Sequence, residues 1–256
     1  EKEYDIKSLD INSVHISKIR KTILLNLLKE AENYDLVKFI DNHGVQVGIT
    51  LNHKEKRINV IFRGSDELSD WIYNMFICKT KINEDMYVHG GFYKLLYKNN
   101  LYSQLFLTVE SLLKKYNNYN LNITGHSLGG ALATLAASRW NTETTHLYTF
   151  GSPRVGGKKF VQSFKTKERY RYRNNNDIVT KVPFEILGYK HVSGEGGNFI
   201  YFDIDGNISH KFSRWYMFKQ WFKGTLKGFS KLKIDGFSDH GVHNYVSYCT
   251  REMIGK

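Results

Sequence analysis

The chain has 256 residues, 41% hydrophobic and 24% charged, a size and balance that fit one large domain with a buried core and exclude wholesale disorder or a fibrous repeat. Lys and Arg outnumber Asp and Glu by 37 to 25, a net charge of +12, which draws the protein to anionic surfaces and says nothing about its fold. Cys78 and Cys249 are too few for a disulfide scaffold and lack metal-ligand spacing, so they read as mostly buried thiols, and the sequence has no run of 18 apolar residues to span a bilayer.

The sequence opens on Glu1 rather than methionine, which fits the removal of a targeting segment upstream; no signal peptide is visible, and the compartment stays open. From Val14 to Ala31, Ile16, Ile19, Ile23, Leu27 and Ala31 recur three or four residues apart with lysines between them, predicting an amphipathic helix. Val45 to Leu51 and Arg57 to Phe62 are β-branched runs flanking the polar stretch Asn52 to Lys56, a β-hairpin signal. Leu101, Leu105, Val109, Leu112, Leu113 and Tyr116 predict a helix that stops at Asn117-Asn118, and Leu121 to Thr124 reads as a short strand. Ser127 to Trp140 predicts a helix rich in small residues, Thr145 to Phe150 a strand, and Arg169 to Arg173 a strand running into Asn174-Asn175-Asn176-Asp177. Strands alternating with helices argue for an α/β fold with a mainly parallel central sheet flanked by helices. With no repeat, no linker and only Pro153 and Pro183 as prolines, residues 1–256 read as one domain.

Gly125-His126-Ser127-Leu128-Gly129 matches G-x-S-x-G between a predicted strand and a predicted helix, the setting of a nucleophile elbow. A sharp turn that holds Ser127 in strained geometry leaves no room for side chains at 125 and 129. The helix N-terminus brings N–H groups and a positive dipole end to any oxyanion formed there. A serine hydroxyl is a poor nucleophile at neutral pH, so it needs a histidine base, and that base needs an acid to fix its tautomer. Asp177, at a strand end 50 residues after Ser127, is the acid candidate; Asp203 and Asp205 sit in Tyr201 to Asn207, which reads as a hairpin tip. For the base, His240 and His243 stand nearly level on the residues alone, with His191 and His210 as outsiders. The oxyanion donors indicated are the N–H of Leu128 and, at the end of the strand that finishes in Phe62, Ser65.

These stretches, in order, resemble the class 3 lipase family: Phe62-Arg63-Gly64-Ser65 with Asp70-Trp71, His89-Gly90-Gly91-Phe92, Gly125 to Gly130 with Phe150 to Gly156, and Asp177 through Val182-Pro183. Gly188 to Val192 is similar as well, and the likeness spans roughly residues 30–250. It implies the α/β-hydrolase fold, Ser127 as nucleophile, Asp177 as acid, and Ser65 with Leu128 as oxyanion donors. It also implies His240 as base, through the Asp239-His240 pair followed by Tyr245. Ser65 stands where a typical member has threonine, and the hydroxyl is kept. The family's lid would fall at Ile77 to Val88, which here is short and polar. No acidic cluster suited to calcium is visible, and the implied chemistry calls for neither metal nor cofactor.

Residues 211–233 hold seven basic residues, seven aromatics and no acid. Lys219, Lys223, Lys227 and Lys231 recur every four positions beside Trp215, Phe218, Phe222, Leu226 and Phe229, the pattern of a helix lying on an anionic lipid surface or docked on the body with a solvated lysine edge. No nucleic-acid reader motif accompanies it. The resemblance therefore implies a serine hydrolase of carboxylic esters, lipase or phospholipase A in type. The alternatives are a carboxylesterase or feruloyl esterase on soluble esters, and an idle lipase-like module that binds membranes.

Overall fold

An eight-stranded sheet runs through the computed structural model, which describes residues 33–42, 44–64, 78–97, 100–166, 168–192, 198–209, 215, 216, 219 and 238–254. In chain order the strands are β1 (Asp35–Asn42), β2 (Val45–Asn52), β3 (Arg57–Phe62), β4 (Lys79–Lys81), β5 (Tyr87–His89), β6 (Asn120–His126), β7 (Thr145–Phe150), β8 (Gly156–Gly157), β9 (Arg169–Asn174), β10 (Tyr189–Lys190), β11 (Asn198–Phe202) and β12 (Ile208–Ser209). The helices are α1 (Gly90–Tyr97), α2 (Leu101–Lys115), α3 (Leu128–Ala137), α4 (Lys158–Gln162) and α5 (Val242–Ile254).

The main sheet is ordered β1-β2-β3-β6-β7-β9-β11-β12, and β10-β8-β5-β4 form a small second sheet. β3, β6, β7, β9 and β11 are parallel neighbours, with antiparallel strands at the two edges. Their register aligns Phe62 with Gly125, His126 with Phe150, Phe150 with Tyr172 and Asn174 with Phe202. All five carboxyl ends therefore meet at one edge of the sheet, where open α/β sheets carry their functional groups.

The local reasons lie in the side chains. β2 alternates buried and half-buried positions from Val45 to Thr50, the period of a pleated strand. On α2 the buried residues Leu101, Leu105, Val109 and Leu112 form one stripe, each such burial contributing about 1.5–3 kcal/mol. Every residue of α3 is buried, and its glycines and alanines let the helix lie close against the strands. Ile49, Ile58, Val60, Leu121, Ile123 and Leu132 make up the centre of the core.

The expected hairpin, the helix at 101 and the strands at 121, 145 and 169 are all present, with ends shifted by a residue or two. Tyr201 and Phe202 pair antiparallel with Ser209 and Ile208, so 203–207 is indeed a hairpin tip. β1, the strands of the small second sheet, α1, α4, β11 and α5 were not anticipated. β1 shows no alternation, exposing Leu36, Val37 and Phe39, and exists through its pairing with β2. The cysteine expectation needs correction: Cys78, leading into the edge strand β4, is exposed, and Cys249 on α5 is half-buried. The expected helix at 14–31 lies outside the described residues, as does the basic and aromatic stretch at 211–233 apart from Trp215, Tyr216 and Lys219. From Cys78 onward, the stretch that the resemblance gives to a lid is a β4–β5 hairpin. Among the described residues no helix is long and apolar enough to cross a membrane.

Candidate active site

Ser127 sits between β6 and α3 at φ 57° and ψ −126°, a backbone state that costs a non-glycine residue about 1–3 kcal/mol and persists only where its surroundings impose it. Here its N–H donates to the Phe150 carbonyl at 2.9 Å, and its own carbonyl accepts from Gly130 at 3.0 Å and Ala131 at 3.3 Å. A Cβ on Gly125 would overlap the Gly129 carbonyl, and one on Gly129 would overlap the Phe62 carbonyl oxygen. The two glycines thus allow β3, β6 and α3 to converge beneath the serine. Leu128 is the first residue of α3, so its N–H belongs to the opening turn, which has no acceptor one turn back in the helix.

Asp177 and His240, 63 residues apart in sequence, meet at the carboxyl end of β9. The Nδ1 of His240 lies 2.9 Å from each carboxylate oxygen of Asp177, and both residues are buried. A carboxylate accepts, so Nδ1 carries the hydrogen and Nε2 is left as the basic nitrogen. Among the described residues, neither the buried Oγ of Ser127 nor the buried Nε2 of His240 has a hydrogen-bond partner. Gly151, at φ 58°, leaves the space for this pair: a Cβ there would stand 2.8 Å from Oδ2 of Asp177 and 3.0 Å from the His240 ring.

The Asp177 carboxylate is itself held in place. The Val179 N–H donates to Oδ1 at 2.9 Å and the Tyr245 hydroxyl to Oδ2 at 2.5 Å. The same hydroxyl accepts the Asn174 N–H at 3.0 Å. Burial first, then the neighbouring Asp177, push the Tyr245 hydroxyl well above its ordinary range, so it stays protonated and donating. Asp239 joins the His240 loop to the Asp177 turn: Oδ2 accepts from the Asn175 side chain at 3.1 Å and the Asn176 N–H at 3.0 Å, and its carbonyl accepts from the Asn174 side chain at 2.8 Å.

The alternatives named from sequence fall elsewhere. His243 is exposed on α5 with its ring over Gly241. His191 is half-buried with Nε2 2.8 Å from the Thr180 carbonyl, and desolvation, followed by nearby arginines, keeps it well below the usual histidine range. Asp203 accepts from Asp205 and Asn207 within its own hairpin and from Tyr216, and Asp205 is exposed. Ser65 and His210 lie outside the described residues; Gly64, next to Ser65, packs against His126 and the Cβ of Ser127. The holding roles of Tyr245 and Asp239 escaped sequence reasoning, whose only trace of them was their place beside His240. Among the described residues no cluster of three His, Cys, Asp or Glu side chains is arranged to hold a metal.

The geometry has close counterparts. The class 3 lipase family model matches residues 59–187. A secreted mono- and diacylglycerol lipase from Fusarium solani is 33% identical over 159 residues, covering 59% of this chain and 47% of that protein. The chain spans about half the length of the curated relatives it matches. The solved lipase of Rhizopus microsporus var. chinensis superposes with a TM-score of 0.62 at 28% identity, over 72% of this chain and 66% of that one. A triacylglycerol lipase whose catalytic centre is formed by a serine protease triad superposes with a TM-score of 0.63 at 27% identity, over 71% of each chain. Elbow, sheet order and a family model that covers half of its length agree, and the chain belongs to the class 3 lipase family.

Proposed function

We propose that the protein is a cofactor-independent serine hydrolase of carboxylic esters, acting on acylglycerols or phospholipids. The observation that carries this reading is the pair of buried, unpartnered atoms, Ser127 Oγ and His240 Nε2, with the far side of the imidazole bonded to Asp177. Ser127 Oγ attacks the ester carbonyl while His240 Nε2 takes its proton, and Asp177 stabilises the imidazolium that results. The oxyanion is held by the Leu128 N–H, at the positive end of α3, and by Ser65. Collapse of the tetrahedral intermediate expels the alkoxide, which leaves with the proton from His240. Water, deprotonated by the same nitrogen, then releases the acid from Ser127.

A lipid rather than a soluble ester is favoured by the apolar side chains exposed just after both site loops. Phe184 and Ile186, 60% and 92% exposed, follow Asp177, and Val242 and Val246 follow His240. Exposed apolar side chains of this kind suit an apolar phase.

The test is hydrolysis of short- and long-chain 4-nitrophenyl esters, phosphatidylcholine and triacylglycerol by the wild type and by Ser127→Ala. Because triad members act as a unit, the variant should lose on the order of 10⁴–10⁶ in turnover while remaining folded. A variant that keeps a tenth of the activity refutes the assignment. Activity that does not rise as the substrate passes from monomers to aggregates favours the soluble-ester enzyme. A wild type inert on every substrate and to a fluorophosphonate probe favours the idle module.

A further inference from the structure

His126 neighbours Ser127 in the chain and His240 in space, and the reaction above gives it no task. Its Nε2 lies 2.8 Å from the backbone carbonyl oxygen of His240, and since a carbonyl only accepts, that nitrogen carries the hydrogen. The two imidazole rings are tilted by 32° with centroids 4.6 Å apart, and the Tyr245 ring centroid is 5.6 Å from that of His126. Burial first, then the adjacent His240, push His126 down to about 4. At neutral pH it is therefore an uncharged ring, hydrogen on Nε2 and bare at Nδ1, and adds no repulsion to the imidazolium that forms beside it. Nδ1 faces the end of β3, 3.3 Å from where a Cβ on Gly64 would stand.

We propose that His126 is a positioning residue for the reaction above, holding the main chain of His240 so that the free nitrogen of the base stays aligned on the Ser127 hydroxyl. The proposal rests on the serine-hydrolase reading. Its physical basis is rigidity. The nucleophile and His126 are consecutive residues leaving β6, whereas the base stands in a turn closed by a 3.4 Å bond from the Gly241 N–H to the Ser238 carbonyl. The His126 bond ties that turn to the strand end that carries the serine. His240 is then gripped twice, at its ring by Asp177 and at its carbonyl by His126.

Two variants and one spectrum test it. His126→Phe keeps a flat ring and removes the donor; His126→Gln keeps an N–H at similar reach. The Phe variant should label with a fluorophosphonate about 10–100 times more slowly and lose kcat by the same factor at unchanged KM, the cost of a base misplaced by a fraction of an ångström. The Gln variant should recover most of both rates. Two variants as fast as wild type, or two equally slow, overturn the proposal. Long-range ¹⁵N–¹H spectra of the wild type near neutral pH should show His126 protonated at Nε2; protonation at Nδ1 overturns it without any variant, and so covers the case in which the Phe form does not fold. A wild type that the fluorophosphonate fails to label sinks the hydrolase reading instead, which keeps the two failures apart.

Discussion

Tyr245→Phe removes one oxygen from the middle of the site and leaves the ring in place. The ring continues to pack against Phe150 and Phe202, with centroids 6.2 and 6.0 Å away. What disappears is the 2.5 Å bond to Asp177 and the acceptor for the Asn174 N–H, both fully buried. A hydrogen bond to a charged group contributes about 1.5–3 kcal/mol, and a stranded buried N–H costs about 1–3, so the loss should be about 2.5–6 kcal/mol. That is a large share of the roughly 5–15 kcal/mol by which a domain is stable. With a urea dependence of about 3 kcal/mol per molar, the unfolding midpoint should fall by about 0.8–2 M at unchanged slope. A carboxylate freed on one side also orients His240 less well, so kcat should drop roughly tenfold. A midpoint within about 0.3 M of wild type, equivalent to less than 1 kcal/mol, would show that the hydroxyl holds neither the acid nor its turn.

Gly125→Ala should lose more than the variants that touch only hydrogen bonds, because the added methyl meets the backbone of Gly129 rather than a flexible side chain; a melting temperature within a degree of wild type would contradict the close approach of β6 and α3. Asp203→Asn should destabilise without a matching loss of activity. Burial raises the Asp203 carboxyl, but hydrogen bonds from Asn207, Tyr216 and Asp205 outweigh that and hold it below the ordinary value of 3.8. A lowered folded-state value stabilises above the unfolded-state value and is lost as pH falls through the folded one. The stability gap between wild type and Asp203→Asn should therefore be widest at neutral pH and close below about pH 4, as read by thermal melts across pH; a gap that widens on acidification reverses the sign of the argument.

The site shows why some of this was legible and some was not. Gly125, Ser127 and Gly129 occupy one turn, so the steric reason for their spacing is local and a reader of the sequence can find it. Asp177 was separable from Asp203 for the same kind of reason, since the carboxylate of Asp203 is used up by its own hairpin. The choice between His240 and His243 depends instead on which side of a turn faces a carboxylate 63 residues away; residue chemistry within Ser238 to Tyr245 leaves the two level, and only the family resemblance of Asp239-His240 and Tyr245 pointed to His240. β1 was missed because an edge strand with exposed Leu36 and Phe39 carries no alternation of its own.

The alternation of strands and helices, the elbow at Ser127 and the candidate acid at the end of β9 are legible from residues alone, because side-chain periodicity and backbone sterics act over a few residues. The family resemblance pointed to His240, but it took the folded chain to bring that ring against Asp177, to show that Tyr245 and Asp239 hold the Asp177 turn, and to show that His126 reaches the carbonyl of His240. Those contacts exist because the register of five parallel strands delivers their carboxyl ends to one edge. Each strand's hydrophobic pattern constrains its own register, but which distant segments become neighbours is a property of packing that no single stretch specifies.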